Sequence, residues 1–266
     1  MNKHVTRVAV VSGSLIFGLI LAAQLEAQFD ADKTLASLRK LDDYPLYVLH
    51  YCGDYRFGEY LKSGVRTSPQ LERPPGRAEV EPWSCSCFTI RSRGGRVLVG
   101  RNFDWFEHPA LLLLLMLDYA DSVDRAIHLI EDYNVDFGGG PPIHYLVADR
   151  SGDSAVIEFL DGEVRALRGD GQFQVSTNFL LFPDPPRHSR TACWRYNRLS
   201  ETLSQAKGEV SPEKGMELLR SVAQAGEHPT IWSCLYDLND LEVRIAMGRN
   251  YGRLHRLGLP ESGRSR

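Results

Sequence analysis

The chain has 266 residues, 43% of them hydrophobic and 24% charged, with a formal net charge of -3. That length suits one large core, or one domain with extensions. The near-balanced charge, with neither a basic run nor a basic–aromatic stripe, argues against a nucleic-acid partner.

In chain order, Lys3, His4 and Arg7 form a basic head. Val8 to Ala23 is almost uninterruptedly apolar, and L-E-A precedes Gln28. This is the shape of a secretory signal over residues 1–27. The apolar run falls short of the roughly 20 residues of a comfortable membrane span, so an uncleaved N-terminal anchor is the alternative. Export implies a secreted or periplasmic location. Residues 28–84 then give an amphipathic beginning around Leu35 to Leu41 and a Tyr-rich, strand-like stretch from Asp43. A loop rich in Pro, Gly and charge follows, from Ser63 to Pro82.

Trp83 to Trp105 reads as a β-hairpin, with two segments rich in Val, Ile, Thr and Phe around Gly94-Gly95. Cys85 and Cys87 open it, and Gly100-Arg101-Asn102-Phe103-Asp104 closes it. Antiparallel pairing brings Arg101 and Asp104 towards Cys85. A cation beside a thiol favours the thiolate, and a carboxylate can orient a base or an amine. On the residues alone, two ordinary strand cysteines followed by a polar loop fit equally well. The five cysteines, Cys52, Cys85, Cys87, Cys193 and Cys234, do not form a disulfide framework in a chain this long. A Cys85–Cys87 redox pair lacks C-x-x-C spacing, and a zinc site would need further ligands that no paired-His motif supplies.

Past the hairpin, Glu107-His108-Pro109 leads into a run from Leu111 to Leu115. Val123, Ala126, Ile127 and Ile130 then recur at helical spacing, with Asp121 or Ser122 as N-cap. Gly138 to Pro142 is a loop. Ile143 to Ala148, Ala155 to Phe159 and Val164 to Leu167 read as strands separated by turns. Asn178 follows in Q-V-S-T-N-F, where an Asn after a strand is ordinarily a turn or cap. Ser189 to Gln205 suits a helix containing C-W-R-Y. A second helix is capped by Ser211 with Pro212 in its first turn and is broken at His228-Pro229. Ile231 to Leu238 and Leu241 to Met247 read as two strands around Asn239-Asp240. From Gly258 the chain is a polar tail, with 260–266 assigned as disordered.

Cys85-Ser86 together with Gly100-Arg101-Asn102-Phe103-Asp104 resembles the N-terminal hairpin of the choloylglycine hydrolase and penicillin V acylase family. Its acyltransferase relatives share the hairpin. H-Y-L-V-A-D-R-S-G-D-S-A-V-I-E-F, the T-N of Thr177-Asn178, C-W-R-Y, W-S-C-L-Y-D and M-G-R-N-Y extend the likeness over most of residues 40–259. The resemblance implies an α+β fold of the N-terminal-nucleophile (Ntn) type, two antiparallel sheets between helical layers, spanning 85–259. It implies hydrolysis of linear amide C–N bonds, with Cys85 rather than Cys87 as nucleophile. Arg101 and Asp104 would position the reacting groups, Asn178 would bind the oxyanion, and Arg195 would support them, with Arg198 as its neighbouring alternative.

The same resemblance makes 28–84 a pro-segment removed at the Ser84–Cys85 bond. The freed α-amine, with an unperturbed pKa of about 7.7–8.0, would then serve as base near neutral pH. The family's D-G-M-N-E-like segment is missing between the hairpin and the helix at 123. The Asn of that segment supplies an oxyanion donor, and losing one such donor typically costs about 10²–10³ in rate. A catalytically degenerate binding or structural domain is therefore the rival, and a membrane-anchored thiol redox protein a third reading. A small-molecule amide is the expected partner, homo-oligomerisation is left open, and neither a metal nor an organic cofactor is implied.

Overall fold

The computed structural model describes residues 7–12, 30–44, 46–53, 85–104, 116–132, 144–160, 162–169, 172–182, 193–226 and 228–259. The loop at 63–82, the Ser84 side of the expected cleavage bond, the junction at 105–115, the glycine loop 138–142 and the tail 260–266 lie outside them. The chain divides into two units, Met1–Leu71 with Leu257–Arg266, and Glu72–Arg256.

In the first unit, a three-stranded antiparallel sheet has the order β1 (Arg7–Ser12), β3 (Leu46–Tyr51), β2 (Arg39–Asp42). Part of the expected signal segment is thus a strand, with Val10 opposite Val48. The amphipathic Leu35–Leu41 stretch is not one element. Helix α1 (Ala31–Ala36) ends within it at Ala36, and Arg39 already begins β2. Asp30 caps α1 by accepting from Lys33 N at 2.9 Å, and Thr34 Oγ1 accepts from Cys52 N at 3.0 Å. These bonds satisfy groups that a short helix and a strand end leave open.

The second unit is built on the hairpin. β4 (Ser86–Arg91) and β5 (Val97–Phe103) pair with Cys87 opposite Arg101 and Phe88 opposite Gly100. They form the centre of a six-stranded sheet in the order β12-β11-β10-β5-β4-β9. The other members are β9 (Phe173–Ser176), β10 (Trp232–Asp237), β11 (Glu242–Met247) and β12 (Leu254–Gly258). Antiparallel neighbours throughout leave the hairpin with no free edge. β12 occupies residues expected to approach the polar tail; the short run Leu254-His255-Arg256-Leu257 lacks the alternation that would announce it.

Side chains alternate across a strand, so each strand supplies both faces. Phe88, Ile90, Leu98, Val175, Leu235 and Ala246 point to one face and pack against Leu199, Leu203, Met216 and Leu219. Those partners lie on α3 (Trp194–Ala206) and α4 (Pro212–Ser221). Ser211 caps α4, accepting from Lys214 N at 3.3 Å, and Pro212 sits where its missing N–H costs nothing. The helix stops at Ser221, well before the expected break at His228-Pro229.

A second antiparallel sheet, β6 (Tyr145–Ala148), β7 (Ser154–Leu160) and β8 (Glu163–Arg168), has the order β6-β7-β8. Tyr145, Ala155 and Ile157 pack on Val123, Ala126, Ile127 and Ile130 of α2 (Val123–Glu131), which Ser122 caps. The opposite faces of the two sheets meet through polar side chains, including Ser154 Oγ donating to Gln174 Oε1 at 3.0 Å. The layering is helix, sheet, sheet, helix, the α+β sandwich expected for the Ntn type.

Gly100 marks how tightly the hairpin is packed. A Cβ there would lie 2.3 Å from Phe88 Cε1. Overpacking a filled core typically costs about 1–3 kcal/mol. Gly100→Ala is therefore expected to lower urea stability by about 2 kcal/mol with an unchanged m-value, and an unshifted midpoint would refute this packing.

Candidate active site

Cys85 immediately precedes β4, and β5 runs antiparallel to it, so the hairpin delivers Arg101 back to the thiol. Arg101 Nη2 points at Cys85 Sγ from 3.8 Å. The guanidinium lies over the rings of Phe103 and Trp232, 5.3 and 5.8 Å from their centroids, which themselves stack at 4.8 Å. Among the described residues it has no carboxylate partner, and its Nε has no hydrogen bond. A cation held by aromatic faces, with a sulfur as its polar neighbour, is suited to stabilising negative charge on that sulfur.

Cys87, two residues on, is a different thiol. Burial pushes it up to about 12, against the pull of Arg101, and burial does the same to Cys234. Burial thus holds both in the thiol form at neutral pH. All five cysteines are unpaired. Among the described residues no cluster of His, Cys, Asp or Glu could hold a metal.

Arg195, buried at 4% exposure in the first turn of α3, ties three of the other expected residues together. Its Nη1 donates to the Cys85 carbonyl oxygen at 3.0 Å and lies 3.7 Å from Asp104 Oδ2. Its Nη2 donates to Asn178 Oδ1 at 3.1 Å. An arginine has no acceptor, so this contact fixes which amide atom of Asn178 faces it and leaves Nδ2 as the outward donor. The alternative, Arg198, is exposed one turn on. Cys85, Arg101, Asp104, Asn178 and Arg195 thus converge from one end of the hairpin, a post-strand loop and a helix.

Asp104 is 4% exposed. Loss of solvent pushes its carboxyl up to about 6, although Thr230, Arg195, Gln224 and Arg101 all favour the ionised form. Gln224 Nε2 donates to Oδ2 at 3.0 Å, while Oδ1 has no partner among the described residues. Sequence reasoning did not find Gln224 or Thr230. Both lie in the connection between α4 and β10, and nothing local distinguishes them from loop polarity. It also passed over Cys193, whose Sγ lies 3.4 Å from Thr177 Oγ1 and 3.6 Å from Asn178 Oδ1.

No family model matches the chain, and no curated protein matches it. Among solved structures the chain is similar to the penicillin V acylase of Agrobacterium tumefaciens. The identity is 14% and the TM-score 0.49, over 61% of this chain and 83% of that one. It is likewise similar to a mutant of the conjugated bile acid hydrolase of Clostridium perfringens. There the identity is 10% and the TM-score 0.47, over 65% of this chain and 92% of that one. Both neighbours are choloylglycine hydrolase family Ntn hydrolases, the family that the sequence resembles.

Proposed function

We propose that this is an exported Ntn-type hydrolase of linear amide C–N bonds that works through an acyl-enzyme on Cys85. The observation that carries the reading is the Arg195 guanidinium, which joins the Cys85 carbonyl, the Asn178 amide and Asp104 in one buried cluster. Cleavage before Cys85 would free an α-amine at the same residue. Asp104 Oδ1, which has no partner among the described residues, is the group suited to hold that amine.

In the reaction, the α-amine takes the Cys85 proton and the sulfur attacks the amide carbonyl carbon. The oxyanion accepts a hydrogen bond from Asn178 Nδ2 and a backbone N–H. The amine product leaves with the proton held at the α-amine, and water then resolves the thioester. Arg101 faces the sulfur as charge builds and disperses. N-acyl amino acids, conjugated bile acids, β-lactam side-chain amides and acyl-homoserine lactones all present the required linear amide.

N-terminal sequencing and intact mass of the purified full chain, before and after brief iodoacetamide treatment, test this reading. A chain beginning at Cys85 and taking one fast alkylation at that residue is expected. Cys85→Ala is expected to leave the chain uncut and to abolish that label. Peptide mapping must place the label, because Cys193 also lies beside Asn178. A start at Met1 or Gln28 with uniformly slow thiols would refute the self-processing mechanism and favour a non-catalytic descendant.

A further inference from the structure

On the inter-sheet face of β6 and β7 lies a buried charged group that the mechanism above does not use. Glu158 is 1% exposed. Its Oε1 accepts from Leu181 N at 2.7 Å and from His144 Nδ1 at 3.1 Å, and its Oε2 accepts from Phe182 N at 2.8 Å. The other ring nitrogen of His144 lies 2.5 Å from the Thr177 carbonyl oxygen and 2.8 Å from Ser176 Oγ. A carbonyl oxygen can only accept, so Nε2 donates to it. Nδ1 faces a carboxylate oxygen that already accepts Leu181 N. Both ring nitrogens of His144 are thus engaged, one by the carboxylate and one beside Thr177 and Ser176.

The partners of this pair are not scattered. Thr177 immediately precedes Asn178, and Leu181 and Phe182 follow it by three and four residues. The hydrogen-bonded pair His144–Glu158 therefore grips both ends of the short segment that carries the oxyanion donor, while Arg195 holds the Asn178 side chain from the other direction. A carboxylate inside a strand whose neighbours Val156 and Ile157 are fully buried is costly unless every acceptor is used. Here both oxygens are engaged.

We propose that His144 and Glu158 are positioning residues for acyl transfer, clasping Thr177–Phe182 so that the Asn178 amide is fixed beside Cys85. The polarised Thr177 carbonyl also strengthens the N–H of the same peptide unit, that of Asn178, as a donor. This rests on the assignment of Cys85 and Asn178 given above.

The test compares two covalent probes on the full chain as purified, with the site of modification read by mass spectrometry. With p-nitrophenyl acetate, sulfur attacks the ester carbon, an oxyanion forms, and p-nitrophenolate leaves as the S–acyl bond is made. With iodoacetamide, sulfur displaces iodide from carbon and no oxyanion forms. Losing one oxyanion donor outright costs about 10²–10³. Glu158→Gln and the milder His144→Gln are expected to slow Cys85 acylation by about 10- to 100-fold while leaving alkylation within about 2-fold. Hydrogen exchange over 178–182 is expected to quicken in both variants, with 173–176 unchanged. Unchanged acylation, or acylation and alkylation falling together, would overturn the positioning role. If wild-type Cys85 does not acylate at all, the hydrolase reading fails first. The exchange data then decide for the clasp if 178–182 loosens, or against it if that segment does not.

Discussion

Arg195→Ala is expected to lower stability by about 3–5 kcal/mol and to reduce Cys85 acylation by about 10²–10³. The large values have separate origins. Arg195 and Asp104 are almost wholly buried, and removing one partner of such a pair leaves the other charge unsolvated. The same substitution frees the Asn178 amide, whose orientation depends on Nη2, and releases the Cys85 carbonyl from Nη1. Arg195→Lys is expected to restore part of the stability but little of the acylation rate. One ammonium is a single nitrogen and cannot place separate nitrogens against the Cys85 carbonyl and the Asn178 amide as Nη1 and Nη2 do. The double variant with Asp104→Asn separates the two effects, since it removes the stranded carboxylate and leaves the amide unanchored. Urea denaturation should show most of the lost stability returning in the double variant, with acylation still impaired. If stability stays at the level of the single variant, the charge account is wrong.

What could be read from the sequence follows from how local each feature is. The hairpin was legible because its two strands, its glycine turn and its closing motif are contiguous, and Gly100 is explained by the single ring it faces. Ser211 and Pro212 announced α4 through the chemistry of its first turn alone. The end of that helix was not legible, because Val222 caps it through backbone bonds that any residue could make. The Leu35–Leu41 stretch misled for a related reason: so few residues cannot separate a helical period from the start of a strand.

The candidate site divides the same way. Cys85, Arg101, Asp104, Asn178 and Arg195 could be named from motif likeness, and the convergence of Cys85, Asp104 and Asn178 on the Arg195 guanidinium is a property of three dimensions. Gln224 and Thr230 carry no local signal; only the turn that returns the chain towards β10 makes them neighbours of Asp104. His144 and Glu158 did offer a signal that went unused. A glutamate within Ala155-Val156-Ile157-Glu158-Phe159 interrupts an otherwise apolar run. A charge in such a place needs partners, and a search for donors would have turned to the histidine preceding the paired strand.

Asp104→Asn is expected to stabilise the uncut chain at pH 7 by up to about 3 kcal/mol and to flatten its stability between about pH 4 and pH 6. The sign follows from the direction of the shift. Burial raises the folded carboxyl from 3.8 to about 6. Below the unfolded value both states hold the proton, and the group does not penalise folding. As the pH rises towards 6 the unfolded chain releases its proton first, so wild-type stability declines through this window and then levels off. Asparagine keeps an oxygen for Gln224 and has no charge to desolvate, so the variant lacks this slope. Urea titrations of the two proteins at half-unit pH intervals, on chains kept uncut by Cys85→Ala, read the difference directly. Parallel curves would mean that Asp104 ionises as freely folded as unfolded. In the processed protein the new α-ammonium gives the carboxylate a cation. The wild-type slope is then expected to shrink, and Asp104→Asn to change from stabilising to destabilising. A group that weakens the precursor and strengthens the product would favour the cut state, which ties the cost of burying Asp104 to the maturation that the chemistry requires.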